Sequence, residues 1–179
     1  MAKEMICAGF GGQGVLTAGM ILINAGMEQD KNVLFYPSYG SEMRGGTANC
    51  TIKISDGLIA SPVSKNPDIL FTMNAPAIDK FESRLKPGGL LLVNSSLVPE
   101  DRTYRDDITV VKVPATDISM DVENPKGANL VMLGALAANS DLFDVDYLEE
   151  AIVSFFEKKG KGKFKEKNVA CYRRGVEGK

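Results

Sequence analysis

The stretch EMICAGFGGQGVLTAGMILINAGMEQDKNVLFY, residues 4–36, decides the fold. It opens on a short apolar run, Glu4 to Ala8, that reads as a buried strand. Gly9-Phe10-Gly11-Gly12-Gln13-Gly14 follows, too rich in glycine for the interior of a strand or helix. From Val15 to Met27 apolar residues recur at helical spacing, at Val15, Ala18, Leu22 and Ala25. A helix therefore starts inside the glycine loop. Asn32 to Tyr36 reads as a second buried strand. A strand–helix–strand unit of this length implies parallel strands joined by a right-handed crossover.

Downstream, Pro37 to Gly46 has no clear period and reads as a loop. Ala48 to Ser55 alternates, with Ile52 and Ile54 on one face and Thr51 and Lys53 on the other. Asp56-Gly57 then precedes Leu58-Ile59-Ala60. That pair between two strand-like runs predicts a hairpin, because a type I′ turn needs positive φ at both central positions. An antiparallel element makes the sheet mixed. Ile69 to Thr72, Leu90 to Asn94 and Ile108 to Val113 read as further strands, the last stopped by Pro114. Helices are predicted over Ala75 to Leu85, Ala128 to Asn139, and from an N-cap at Asp144 through Phe156. No repeat or long linker divides the chain. The expectation is one α/β domain, residues 1–179, with a mixed, mainly parallel sheet flanked by helices.

Composition narrows the function. Of 179 residues, 44% are hydrophobic and 25% charged, so a folded core is expected. A formal net charge of -2 argues for neither nucleic acid nor an anionic membrane as partner. No run approaches the ~20 apolar residues of a membrane span, and residues 1–4 do not lead into a signal peptide. The expected location is the cytoplasm. Cys7, Cys50 and Cys171 are far apart, and there is no C-x-x-C and no histidine. Neither a zinc site nor a four-cysteine iron–sulfur cluster can be assembled from such a set. The usual histidine base is missing as well.

The glycine loop has two readings. Glycines let the backbone approach a ligand closely, and the helix N-terminus behind them offers free N–H groups suited to phosphate. Alternatively the loop is only a tight turn. A dinucleotide site also wants an acid at the end of the second strand. Here that strand ends Tyr36-Pro37-Ser38, and Asp30 precedes it. A Walker A site fails for lack of a following Lys-Ser/Thr. The loop Gly40-Ser41-Glu42-Met43-Arg44-Gly45-Gly46 should leave the same sheet end, and Arg44 could grip phosphate or carboxylate. A solvated Glu42–Arg44 pair worth little is the plainer alternative. Asn129, near the start of an apolar helix, is expected to brace a neighbouring loop. The basic tail from Lys158 holds nine of the 21 basic residues; it could bind an acidic partner or the phosphates of a ligand, but a solvated, partly mobile segment is the commoner outcome and the expectation.

Taken together the motifs resemble the γ subunit of 2-oxoacid:ferredoxin oxidoreductases. The resemblance rests on Gly9 to Gly14 with Thr17-Ala18-Gly19, then Glu42-Met43-Arg44-Gly45-Gly46, Ser61-Pro62 and Pro67-Asp68. It continues in Ala128-Asn129-Leu130-Val131, Leu133-Gly134 and Lys167-Asn168. Leu130 stands where many members carry Met. The family's fold would be that of domain III of pyruvate:ferredoxin oxidoreductase. Its enzymes oxidatively decarboxylate a 2-oxoacid on thiamine diphosphate, pass electrons through iron–sulfur clusters to ferredoxin and deliver the acyl group to coenzyme A. The resemblance implies that alpha, beta and delta subunits hold the thiamine diphosphate and the clusters. It also implies that this chain binds no cofactor alone and contacts coenzyme A. Carried over, Gly11, Gly12, Gln13, Gly14, Glu42, Arg44, Gly45 and Gly46 would face coenzyme A or a partner subunit, and no residue is catalytic. The substrate would be 2-oxoglutarate or 2-oxoisovalerate, and the isolated chain would pair with itself as a homodimer. The rival functions are a stand-alone dinucleotide-binding oxidoreductase and a non-catalytic scaffold.

Overall fold

The computed structural model describes residues 2–38 and 47–178. A central sheet of six strands carries the chain: β1 (Lys3–Phe10), β2 (Asn32–Ser38), β3 (Thr47–Ser55), β4 (Ile69–Thr72), β5 (Leu90–Asn94) and β6 (Thr109–Val113). The helices are α1 (Val15–Glu28), α2 (Ala75–Phe81), α3 (Ala115–Asp121), α4 (Ala128–Asn139), α5 (Val145–Lys158) and α6 (Lys165–Glu177). Strand order is β2-β3-β1-β4-β5-β6. β1, β4, β5 and β6 pair in parallel, and β3 is antiparallel to both β1 and β2. The sheet is thus mixed and mainly parallel.

Strand alternation assigns the two layers. Met5 and Cys7 of β1 turn to one side, with Phe71, Leu92, α1, α4, α5 and α6. Ile6 and Ala8 turn to the other, with Leu70, Leu91, Val93 and the small layer of Ala77, Ile78 and Phe81 from α2. The apolar core of that second layer does not extend over β2 and β3. There the buried Lys53 ammonium binds Glu4 Oε1 at 2.9 Å and the Val63 carbonyl at 2.9 Å, while Ser64 donates to Glu4 Oε2 at 2.6 Å. This network ties the irregular segment 56–64 against the sheet.

Four expectations are corrected. The Asp56-Gly57 hairpin does not form: Leu58 to Ala60 is not strand, and Leu58 is 95% exposed. Both edges of β3 are already taken by β2 and β1, so nothing remains for a third strand to pair with. β2 is not buried; it is the sheet edge, with Tyr36 54% exposed and Pro37 where an edge tolerates a missing N–H. β1 and β2 run in the same direction but are not neighbours, because β3 lies between them. The helix from Ala75 stops at Phe81 and tightens into a 3-10 turn over Glu82–Arg84.

The basic tail is also corrected. It folds into α6, whose buried side is Asn168, Cys171, Tyr172 and Gly175. The spacing is helical, but the stripe contains no Leu, Ile or Val, so its amphipathicity is weak as sequence. α6 packs on α4 backbone to backbone. A Cβ on Gly175 would stand 1.8 Å from the Val131 carbonyl oxygen, and one on Gly134 would stand 2.0 Å from that of Tyr172. Only glycine permits this approach at both positions. Tyr172 ties α6 to the start of α5, donating its hydroxyl to the Val145 carbonyl at 2.8 Å.

Gly175→Ala should therefore force α4 and α6 apart. Overpacking of this kind costs about 1–3 kcal/mol and sometimes more. Urea unfolding of the variant should show a lower midpoint, and an unchanged midpoint would refute the close-packing account.

Candidate functional site

The carboxyl ends of β1, β4, β5 and β6 share one edge of the sheet, where ligands usually bind in α/β folds. The glycine loop leaves β1 at that edge. Gly11 and Gly12 are exposed. Gly12 has φ 95 and Gly14 has φ 76, both in the left-handed region that favours glycine. Gly14 is the N-cap of α1 and supplies no side-chain cap. The first-turn N–H groups of a 14-residue helix are thus left for backbone, water or ligand.

Gln13 holds this turn in place. Its Oε1 accepts from the Phe10 N–H at 2.6 Å and from Asn74 Nδ2 at 3.0 Å, and its Nε2 donates to the Met73 carbonyl at 3.4 Å. Asn74 also caps α2, accepting from the Ala77 N–H at 2.9 Å. The pattern continues on the next strand. Asn94 Nδ2 donates to the Met73 carbonyl at 3.2 Å and to Thr116 Oγ1 at 2.9 Å, while its Oδ1 accepts from the Thr116 N–H at 3.3 Å. A row of amides, Gln13, Asn74 and Asn94, thereby stitches the ends of four parallel strands from the glycine loop to the start of α3. The row is fixed by neutral hydrogen bonds, so it positions the loop without adding charge.

The second brace is Asn129. It is 4% exposed, and its Nδ2 donates to the Gly14 carbonyl at 3.1 Å, as expected for a loop-bracing role. That acceptor fixes which way the amide points. Its Oδ1 is buried without a partner among the described residues. A Cβ on Gly14 would lie 2.5 Å from Asn129 Nδ2, whereas a Cβ on Gly12 would meet open space. The two positive-φ glycines thus differ: Gly14 makes room for a brace, and Gly12 leaves the approach to the loop clear.

Of the sequence-assigned site residues, Gly11, Gly12, Gln13 and Gly14 form one turn. Glu42, Arg44, Gly45 and Gly46 lie outside the described residues. The flanking residues are placed: Thr47 pairs with Phe10, at the start of the glycine turn, and Ser38 pairs with Asn49. Asn74, Asn94 and Thr116 were not anticipated. Asn74 was legible in Asn74-Ala75-Pro76, a cap residue followed by proline in the first turn. Asn94 reads only as the last residue of a strand.

The structure weakens the dinucleotide rival. A dinucleotide fold sets a second parallel strand, ending in an acid, beside the first. Here the neighbour of β1 on that side is the antiparallel β3. Cysteine chemistry is equally disfavoured. Burial, with Cys50 opposite, pushes the Cys7 thiol well up, and burial raises Cys171. Both stay protonated and poorly nucleophilic at neutral pH.

The family model described as pyruvate ferredoxin/flavodoxin oxidoreductase matches residues 4–178. The chain is 38% identical over 179 residues to the 2-oxoglutarate synthase subunit KorC of Methanocaldococcus jannaschii, covering 99% of this chain and 94% of that one. It is 34% identical to the ketoisovalerate oxidoreductase subunit VorA of Methanothermobacter thermautotrophicus, covering 95% of this chain but 35% of that longer one. Among solved structures, the γ subunit of a keto/oxoacid ferredoxin oxidoreductase from Geobacter sulfurreducens superposes with a TM-score of 0.82 at 30% identity, covering 98% and 96% of the two chains. The 2-oxoglutarate:ferredoxin oxidoreductase of Magnetococcus marinus, solved with 2-oxoglutarate, coenzyme A and succinyl-CoA, shares the fold at a TM-score of 0.87 and 20% identity. The match covers 98% of this chain and 30% of that one.

Two substitutions separate the roles of these residues. Gln13→Ala strands the Phe10 N–H and should lower stability by about 1–3 kcal/mol. Gly14→Ala should destabilise more than Gly12→Ala, because the first adds a collision with Asn129 to the roughly 1–2 kcal/mol strain that positive φ imposes on both. Denaturant midpoints for the three variants test the order, and equal losses at Gly14 and Gly12 would discount the Asn129 brace.

Proposed function

Because the chain belongs to the pyruvate ferredoxin/flavodoxin oxidoreductase family, we propose that it works as the γ subunit of a multi-subunit 2-oxoacid:ferredoxin oxidoreductase. The assembled enzyme oxidatively decarboxylates a 2-oxoacid, transfers the acyl group to coenzyme A and reduces ferredoxin. Two named relatives, a 2-oxoglutarate synthase subunit and a ketoisovalerate oxidoreductase subunit, favour 2-oxoglutarate or 2-oxoisovalerate as substrate. Alpha, beta and delta subunits hold the thiamine diphosphate and the iron–sulfur clusters. The isolated chain is inactive and pairs with itself. The complex works in the cytoplasm.

The observation that carries this chain's own part is the uncapped start of α1 behind an exposed glycine turn. Coenzyme A supplies the thiol that takes the acyl group, and it also carries a diphosphate and a 3′-phosphate. Backbone N–H groups of Gly11 to Gly14 and the first turn of α1 suit such phosphates by geometry and by the sign of the helix dipole. Gly12 keeps the approach open, Gln13 and Asn129 hold the turn rigid, and the family resemblance adds Glu42, Arg44, Gly45 and Gly46 as coenzyme A contacts. Rigidity matters because a pre-set turn loses less entropy when the ligand binds. The chain thus orients coenzyme A while partner subunits perform the electron and carbon chemistry.

The test uses the native complex purified through a tagged γ chain. Coenzyme A-dependent reduction of viologen is measured with 2-oxoglutarate and with 2-oxoisovalerate. Gly12→Ala places a methyl in the open approach and should raise KM for coenzyme A by roughly tenfold, about 1.4 kcal/mol, with kcat preserved. An unchanged KM would remove the glycine turn from the coenzyme A site. Failure of any thiamine-dependent subunit to copurify would sink the proposal as a whole.

A further inference from the structure

Charge is unevenly spread along the chain. Residues 158–179 carry nine basic residues and two acidic ones, a net +7. The preceding 157 residues carry twelve basic and 21 acidic ones, a net -9. The positive segment is ordered. Lys161 N–H binds the Phe156 carbonyl at 2.8 Å, Gly160 N–H binds that of Glu157 at 2.9 Å, and Phe164 N–H closes on Lys161 at 3.2 Å. Gly160 takes φ 69, which lets the chain turn sharply between α5 and the short helix Gly162–Phe164. α6 then anchors the far side through buried Asn168, Cys171 and Tyr172.

The basic residues around this knuckle fall into two groups. Lys158, Lys165, Lys167 and Arg173 pair with Glu28, Glu157, Glu123 and Glu149 at 2.7, 4.0, 3.3 and 2.7 Å. Lys159, Lys161 and Lys163 have no carboxylate partner among the described residues. Lys159 lies over the Phe155 ring and Lys163 over that of Phe164. Phe164 itself is 45% exposed. Three exposed lysines thus share a short turn with a half-exposed aromatic ring, against which Lys163 rests. An apolar anchor inside a charged rim is the anatomy of a protein interface.

We propose that the α5–α6 knuckle, with Lys159, Lys161, Lys163 and Phe164, docks an acidic protein surface of another subunit in the assembly. The inference rests on the multi-subunit reading above. Charge complementarity selects the partner, since unpaired ammonium groups attract carboxylates and repel a basic face. Three lysines without carboxylate partners within five residues suit a compact acidic patch better than a nucleic-acid backbone, which calls for a longer basic track.

The experiment compares the native complex with the isolated chain. Both are treated with limiting acetylating reagent, and the lysines are quantified by mass spectrometry. A carbodiimide coupling in parallel joins amines to carboxylates in contact. Lys161 and Lys163 should be protected in the complex and should cross-link to Asp or Glu of another subunit. The double variant K161E/K163E should weaken assembly by roughly tenfold at low salt, and by less at high salt. Equal acetylation in both preparations, or undiminished assembly of the double variant, overturns the proposal. So does protection that nuclease abolishes, which would assign the knuckle to nucleic acid. If subunits copurify but the lysines stay reactive, only this inference fails; if no subunit copurifies, the functional reading fails with it.

Discussion

α4 and α6 meet backbone to backbone through Gly134 and Gly175, and much else depends on that contact. Two helices can come this near only where neither carries a side chain at the crossing. The contact fixes where α6 sits. α6 in turn supports the segment ahead of α4: Asn168 accepts from Asn124 at 3.0 Å, and Lys167 reaches the Glu123 carbonyl at 3.1 Å. That segment sets the register of α4, and α4 carries Asn129 onto the Gly14 carbonyl. The C-terminal helix and the N-terminal glycine turn, far apart in sequence, are thus linked by packed backbone and amide hydrogen bonds.

The site is built from neutral groups. Gln13, Asn74, Asn94 and Asn129 hold the strand ends and the turn, while the groups turned outward are backbone N–H donors and the exposed Gly11 and Gly12. Geometry and helix dipole make such an edge suited to an anion. The thiols of Cys7 and Cys171 are buried and held protonated, so they are structural. This division suits a chain that positions a ligand for chemistry carried elsewhere.

The relatives show the same unit in two settings. It spans 94% of the KorC chain but 35% of the VorA chain, and 30% of the Magnetococcus chain with which it shares its fold. A compact sheet with its own two-sided core can be a separate subunit or one part of a longer chain. The strands and helices that frame the carboxyl edge of this chain's sheet all belong to this unit.

The sequence by itself determined the element types that rest on local periodicity and local chemistry. The β1–glycine loop–α1 unit, the apolar helix 128–139 and the Asp144 cap were all readable, because each is decided by spacing or by a residue's own hydrogen bonds. The ordered motifs also identified the family, and Asn129 was legible as a brace. Tertiary structure alone decided the rest. Which strand neighbours which is a competition for edges, so the insertion of β3 between β1 and β2 cancelled both the adjacent crossover and the Asp56-Gly57 hairpin. α6 was hidden because its buried stripe is Asn, Cys, Tyr and Gly, residues whose fit depends on a facing helix and not on hydrophobicity. The amide row was hidden for the same reason: Gln13, Asn74 and Asn94 are 61 and 20 residues apart in turn, and only the parallel sheet brings Asn74 onto Gln13 and Asn94 onto the Met73 carbonyl.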